Sequence, residues 1–99
     1  METKITELIQ AELTSANSKF PPFRSEHEGY AVLREEAEET VEAMMSFMKS
    51  LERSWQQIKK NELTKADISV LSLDSFEIKK EAIKTAAMCE KFQDFYRRK

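Results

Sequence analysis

Three glutamates have the type and spacing needed for metal chemistry. Glu36 and Glu39 are three residues apart on one predicted helix, so their carboxylates are neighbours about one turn apart. Glu81, on another predicted helix, occupies a core-type position between apolar residues, where an unpaired carboxylate is costly. If the two helices pack antiparallel, the three carboxylates converge. Because oxygen-only ligands suit hard cations, this arrangement predicts a site for Mg²⁺ or Mn²⁺.

The same glutamates also have a structural interpretation. A lysine, tyrosine or tryptophan across the helix interface can satisfy Glu81 without a metal, and the helix pattern does not decide between the two alternatives. Glu36 and Glu39 belong to an acidic block, residues 25–42, in which Arg34 is the only lysine or arginine. Such a block is most often a solvated helix face.

The elements that must position these side chains are helices. The first is expected over Glu2–Lys19, where apolar residues recur every three or four positions, and it ends before Pro21 and Pro22. Ser25-x-x-Glu28 is a capping-box signature that opens the second helix.

The second helix is expected over residues 26–60. At 1.5 Å per residue it would be about 50 Å long, whereas a compact globule of this chain length is only roughly 30–35 Å across. Either the helix breaks or partner subunits cover its far end, and we favour the second alternative. Its apolar residues form a heptad-like stripe, hereafter the α2 stripe: Tyr30, Leu33, Ala37, Val41, Met44, Met48, Leu51, Trp55 and Ile58.

A polar-to-apolar connection is expected over residues 61–74, with a short helical turn capped by Thr64 and Asp67. The third helix is then expected to begin at Asp74 and to end near Arg97. Its seam comprises Ile78, Glu81, Thr85, Met88, Phe92 and Phe95, and Ala82, Cys89 and Tyr96 are expected on the same side. Cys89 and the methionines Met44, Met45, Met48 and Met88 are interpreted as core residues.

Composition limits the function classes. The 99 residues predict a single all-α domain, residues 1–99, built from three main helices with a very long central one. No apolar run approaches a membrane span, and the lone Cys89 favours a reducing compartment, so a cytoplasmic protein is expected. The net charge of −2 gives no overall attraction to nucleic acid, and the basic tail Arg97–Lys99 is too short to support a DNA-packing role.

Two segments resemble a known family. The run Ser25–Glu36 (SEHEGYAVLREE), followed by Glu39, resembles the start of the core in small MazG-like proteins, many of them encoded by phages or prophages. The later run Glu81–Met88 resembles the matching helix of those proteins. The resemblance covers roughly residues 23–95. It implies an all-α nucleoside triphosphate pyrophosphohydrolase that uses Mg²⁺ to split an NTP into NMP and pyrophosphate and assembles as a homo-dimer or homo-tetramer.

The resemblance also implies roles for individual residues. Glu35, Glu36 and Glu39 match the family signature EExxE, with Glu36 and Glu39 as metal ligands and Glu35 or Glu39 as general base. Glu81 matches the first residue of ExxD as a further ligand, but Lys84 stands where the family has Asp.

Lys84 leaves three outcomes open: it repels the metal and pairs with a glutamate, it contacts a substrate phosphate, or Glu77 replaces the missing aspartate. Tyr30 is a candidate for ligand contact, although its position on the stripe also suits packing. A different function class is therefore retained beside the enzyme: a non-catalytic helical binding or assembly module in which Lys84 neutralises Glu81.

Overall fold

The computed structural model describes residues 2–99, which form three α-helices: α1 (Glu2–Lys19), α2 (Glu26–Lys59) and α3 (Lys65–Arg98). No strand occurs within residues 2–99. The predicted all-α class and the bounds of the first two helices are confirmed. The expected central rod is confirmed as a continuous 34-residue helix, but α3 is equally long.

Local capping explains where α2 begins. The Ser25 hydroxyl accepts a hydrogen bond from the backbone N–H of Glu28 at 3.1 Å, and the Glu28 carboxylate accepts one from the backbone N–H of Arg24 at 2.9 Å. The first bond satisfies a backbone donor that a helix start leaves free, and the second fixes the residue before the cap. Ser25 is therefore the N-cap as predicted, but the capping box is incomplete because Glu28 accepts from Arg24 and not from Ser25.

The predicted start of the third helix at Asp74 is wrong, because α3 begins at Lys65. Thr64 is its N-cap, and Thr64 and Asp67 form a complete capping box. No proline or glycine follows to interrupt the helix. The reversal between α2 and α3 takes place over residues 60–64, where Asn61 adopts a positive φ of 58°.

Helices α2 and α3 form an antiparallel hairpin, and α1 packs on α3 near the open end of that hairpin. Contacts between the two long helices run in opposite directions along the chain: Gly29 lies against Phe92, Thr40 against Thr85, and Ser50 against Asp74. The buried core lies at the α1 end and consists of Leu13, Phe23, Ala87 and Met88.

Most of the α2 stripe does not pack inside the chain. Its members from Val41 to Ile58 are 43–57% exposed, and Tyr30 is 60% exposed. The expectation that Met44, Met45 and Met48 are core residues is therefore wrong within one chain, because α2 meets α3 through a different face. Cys89 is also exposed, contrary to expectation, whereas Met88 is buried as predicted.

The hairpin makes the chain elongated, with principal extents of 59, 28 and 21 Å and a radius of gyration of 17.4 Å. A compact chain of this length would have a radius of gyration of about 13 Å. The long helix therefore does not break to fit a globule. Among the described helices, none is both long enough and apolar enough to span a bilayer.

Candidate metal centre

The three glutamates singled out by their spacing converge in the structure. One carboxylate oxygen each from Glu36, Glu39 and Glu81 can be chosen such that all three lie within 4.8 Å of one another. All three residues are partly buried. Among the described residues, Oε2 of Glu36 and Oε2 of Glu81 are buried without a hydrogen-bond partner. Such oxygens are free to bind a cation.

A pair of threonines fixes the two helices beside this cluster. The hydroxyls of Thr40 and Thr85 lie 3.1 Å apart across the interface. The Thr40 hydroxyl is also within hydrogen-bond distance of the Glu36 carbonyl, one turn earlier on α2. The Thr85 hydroxyl is likewise within hydrogen-bond distance of the Glu81 carbonyl on α3. Since each hydroxyl has one proton, one threonine donates to the other, which donates to its own helix. This bridge holds Glu36 and Glu81 in register.

Crowding disfavours ionisation of two of the carboxyls. Burial, and next the negative charge of Glu39, raise the pKa of Glu36 above its ordinary value. Burial is also the main cause that raises the pKa of Glu39. The second cause is Glu81, through a hydrogen bond between the two carboxyls and through its negative charge. Both shifts have the direction expected for carboxylates that share a confined space. The cluster is therefore an acidic site that gains stability from protons or from another cation.

Lys84 supplies one positive charge to the cluster. Its ammonium lies 3.6 Å from Oε1 of Glu81, one turn away on the same helix. Although burial opposes the effect, the charges of Glu81, Glu36 and Glu39 raise the pKa of Lys84. Three carboxylates and one ammonium leave a formal charge of −2 when all are ionised, which matches the charge of one divalent cation. The donor set thus fits Mg²⁺ or Mn²⁺ even with Lys84 in place.

An acidic cleft continues from the cluster along the hairpin. It encloses about 290 Å³ and is lined by Glu39, Glu42, Ala43, Ser46, Asp74, Glu77 and Glu81. Glu77 pairs with Lys80 at 3.5 Å, and Asp74 accepts a hydrogen bond from Ser50. Glu77 therefore lies on the same cleft as the cluster but does not take part in it in this conformation.

The remaining candidate residues lie in different places. Glu35 is exposed beside Glu36 and faces the space between α1 and α2. Tyr30 lies on the exposed face of α2, where its hydroxyl accepts a hydrogen bond from Arg34 at 3.2 Å. The structure thus brings Glu36, Glu39, Glu81 and Lys84 together, places Glu35 at the edge, and leaves Tyr30 outside the cluster.

A groove on the other side of Glu36 was not predicted from the sequence. It lies between α1 and α2, with α3 as its floor, and encloses about 600 Å³. Its floor residues, Lys84, Met88 and Lys91, are spaced by four and three residues on one face of α3. The spacing of these three residues is the sequence feature from which the groove could have been predicted. It does not by itself indicate a binding site, because the other walls are formed by α1 and Phe23.

Comparisons of this chain with protein-family models, with curated proteins and with solved structures give no match in any of the three.

Proposed function

We propose that this protein is a divalent-cation-dependent nucleoside triphosphate pyrophosphohydrolase. The observation that supports this most directly is the convergence of Glu36, Glu39 and Glu81 to within 4.8 Å, with unpartnered buried oxygens on two of them. Carboxylates that project inward from facing helices are a common way for helical bundles to hold Mg²⁺ or Mn²⁺. The resemblance to small MazG-like proteins supports the same reaction, and the proposal places it in the cytoplasm.

The reaction adds water to the α-phosphorus of an NTP. A bond forms between the water oxygen and phosphorus, the bond from phosphorus to the bridging oxygen breaks, and NMP and pyrophosphate leave. Divalent metal ions clamp phosphate oxygens and offset charge that develops in phosphoryl transfer. Glu36, Glu39 and Glu81 would hold the ion.

The chain's own residues would also handle the proton and the substrate. Glu39 or the exposed Glu35, one turn earlier on α2, would accept the proton from water. Lys84, which already faces both Glu81 and the groove, would contact a phosphate oxygen.

Pyrophosphate release from a panel of NTPs and dNTPs, with and without Mg²⁺ or Mn²⁺, tests this proposal. We expect turnover that depends on the metal and that falls by at least about 100-fold in Glu81→Gln, which keeps the side-chain shape but removes a ligand. Glu62→Gln, in the exposed α2–α3 turn, is the matched control and should behave like the parent protein. No turnover of any nucleotide at high enzyme concentration would refute the proposal.

A second candidate function is a non-catalytic binding or assembly module. The ion pair between Lys84 and Glu81 favours it, since Lys84 already neutralises part of the cluster. This candidate predicts that Mg²⁺ leaves the melting temperature unchanged, because a ligand that binds only the folded state must stabilise it. A clear rise in melting temperature with Mg²⁺ would count against it.

Either function would be carried out by an oligomer, and we propose a homo-dimer or homo-tetramer built through the α2 stripe. Exposed apolar patches of this extent mark interaction surfaces. Charge favours a second copy of α2 in antiparallel orientation. The first half of α2 is rich in glutamate, whereas most charged residues of its second half are basic, Lys49, Arg53 and Lys59 among them. An antiparallel pair sets the acidic half of each helix against the basic half of its partner.

Sedimentation equilibrium tests the oligomer. The double variant Met44→Lys/Met48→Lys places two charges in the middle of the stripe, so we expect it to be monomeric at concentrations where the parent protein is associated. Gln10→Lys, an added charge on exposed α1, should associate normally. A parent protein that stays monomeric at high concentration would refute self-association.

A further inference from the structure

The groove between α1 and α2 opens next to the candidate metal centre. Helices α1 and α2 both face α3, and the space between them of about 600 Å³ lies in the range of small-molecule sites. Glu36 and Lys84 line both this groove and the acidic cluster. A ligand that reaches the metal centre with one end can therefore lie along the groove with the other.

Lys91 is the unusual residue of this groove. It is only 4% exposed, and within residues 2–99 its ammonium forms neither an ion pair nor a hydrogen bond. The ammonium lies 5.1 Å from the centre of the Phe23 ring. A cation–π contact attracts the ammonium to the ring, but it satisfies none of the three N–H donors. The side chain is thus mostly buried, and its ammonium has donors without a protein partner at the wall of the groove.

The surroundings of Lys91 favour a neutral acceptor on a flat ring over a phosphate. Apolar side chains, those of Phe20, Phe23, Val32 and Met88, line this part of the groove. A phosphate would lose its hydration among them, whereas a nucleobase would gain contact area and place a ring carbonyl oxygen near the ammonium.

The spacing along α3 fits the two ends of one nucleotide. Lys84 and Lys91 are seven residues apart, which is about 10 Å along the helix axis. The phosphate end would lie at Lys84 and the cation site, and the base would lie two turns away at Lys91. Met88, between them on the same face of α3, would contact the sugar and base.

We infer that this groove binds the base of the nucleotide, and that Lys91 selects bases that carry a ring carbonyl oxygen by donating a hydrogen bond to it. Thymine, uracil, cytosine and guanine carry such an oxygen, whereas adenine presents only ring nitrogens as acceptors. The inference rests on the proposed function for the identity of the ligand. It adds the residue that determines base preference.

Binding of nucleoside monophosphates without divalent cations tests the inference apart from catalysis. By NMR titration we expect dTMP to bind the parent protein more tightly than dAMP. Lys91→Met keeps the length and apolar stem of the side chain but removes the donor, so dTMP binding should weaken about tenfold or more and the preference should vanish. Lys79→Met is the matched control, because Lys79 also lies over a phenylalanine ring, at 5.2 Å, but on the exposed part of α3.

The outcomes separate this inference from the proposed function. Unchanged dTMP affinity in a folded Lys91→Met protein, or equal affinity of the parent for dTMP and dAMP, would overturn the inference even if pyrophosphate is released. Base-selective binding that depends on Lys91, in a protein without any turnover, would support the inference while the hydrolase proposal fails. Retained dTMP binding in Glu81→Gln would further place the base contact outside the metal centre.

Discussion

The two halves of the long hairpin differ in what covers them. In the covered half, formed by α1, residues 26–40 of α2 and residues 81–98 of α3, apolar side chains meet in a buried core around Ala87 and Met88. In the bare half, formed by residues 41–59 of α2 and 65–80 of α3, the buried side chains are Ser50 and Ser54, and most of the large apolar ones are exposed.

This difference follows from the number of helices in each half. Two helices alone touch along a single line, and in the bare half small residues such as Ser50 and Ser54 allow that line to be close. A third helix is needed before apolar side chains can be enclosed on several sides. α1 supplies it in the covered half, and a second copy would supply it in the bare half. The candidate metal centre lies at the boundary between the two.

Equal truncations in the two halves give the largest expected contrast. Met88→Ala removes a buried side chain of the covered half, so the free energy of unfolding should fall by about 2–5 kcal/mol. Met48→Ala, in the bare half, removes a side chain that is 56% exposed and should change monomer stability by only about 0.5 kcal/mol. Urea denaturation of dilute protein measures both. Equal losses under these conditions would contradict the contrast.

A smaller effect is expected from Gly29→Ala, which probes how tightly the covered half is packed. An added Cβ would lie 3.0 Å from two atoms of the Phe92 ring. Alanine gains up to about 1 kcal/mol in helix propensity, but overpacking costs about 1–3 kcal/mol, so we expect net destabilisation of about 1 kcal/mol. In a double-mutant cycle, Phe92→Leu should remove most of this loss. A stabilising Gly29→Ala would show that the ring moves aside freely.

Sequence patterns predicted the helices well because caps and proline positions act locally. Ser25 and Pro21 lie where the chain changes direction, and both were assigned correctly. The predicted start of α3 at Asp74 lies nine residues too late, because Asp74 and Glu77 imitate a capping box. The true cap is Thr64, where the sequence pattern predicts only a separate turn. Local signals identify possible helix starts, but only tertiary packing decides which one is used.

Patterns were less informative about which face of α2 packs inside the chain. The helix has an apolar face and a face of small and polar residues, and the second one, with Gly29, Thr40 and Ser50, meets α3. The hydrophobic pattern instead predicts that the apolar face packs inside the chain. The convergence of the three glutamates was predicted because helix spacing and antiparallel pairing suffice for it. The role of Lys91 does not follow from the sequence pattern. Its burial depends on Phe23, which is 68 positions away in the sequence.

Neutralising Glu36 tests the boundary between the halves, and the expected effect on stability is smaller still. Its raised pKa means that the folded state disfavours the charged form. The folded protein binds more protons than the unfolded chain above the ordinary pKa of 4.5, so this group's contribution to stability falls as pH rises through that window. At neutral pH without divalent cations, Glu36→Gln should therefore raise the melting temperature.

Two controls accompany this measurement. Well below pH 4.5, Glu36 is protonated in both the folded and the unfolded parent protein, so the advantage of Glu36→Gln should disappear. Glu62→Gln, in the exposed turn, should have no such effect at any pH. Mg²⁺ should stabilise the parent protein but not Glu36→Gln. A lower melting temperature for Glu36→Gln without divalent cations would show that the charged carboxylate stabilises the cluster.

The smallest effect is expected at the outer edge of the covered half, where the ends of α2 and α3 meet. The Tyr96 hydroxyl donates a hydrogen bond to Glu26, and Lys99 lies 3.4 Å from the same carboxylate. The bond from Tyr96, and next the charge of Lys99, lower the pKa of Glu26, and Glu26 in turn raises the pKa of Tyr96. Because the pKa of Glu26 is lowered, its contribution to stability is present above pH 4.5 and is lost as pH falls through the folded-state value.

Ultraviolet titration of tyrosinate can isolate this contact. In a Tyr30→Phe background Tyr96 is the sole tyrosine, and Glu26→Gln should lower its pKa toward 10.0, while Glu62→Gln leaves it unchanged. The stability difference between Tyr96→Phe and its parent should be small at neutral pH and should shrink further in acid, where Glu26 is protonated in both. An unchanged tyrosinate titration in Glu26→Gln would mean that the two helix ends separate in solution, and that the covered half is closed by its core alone.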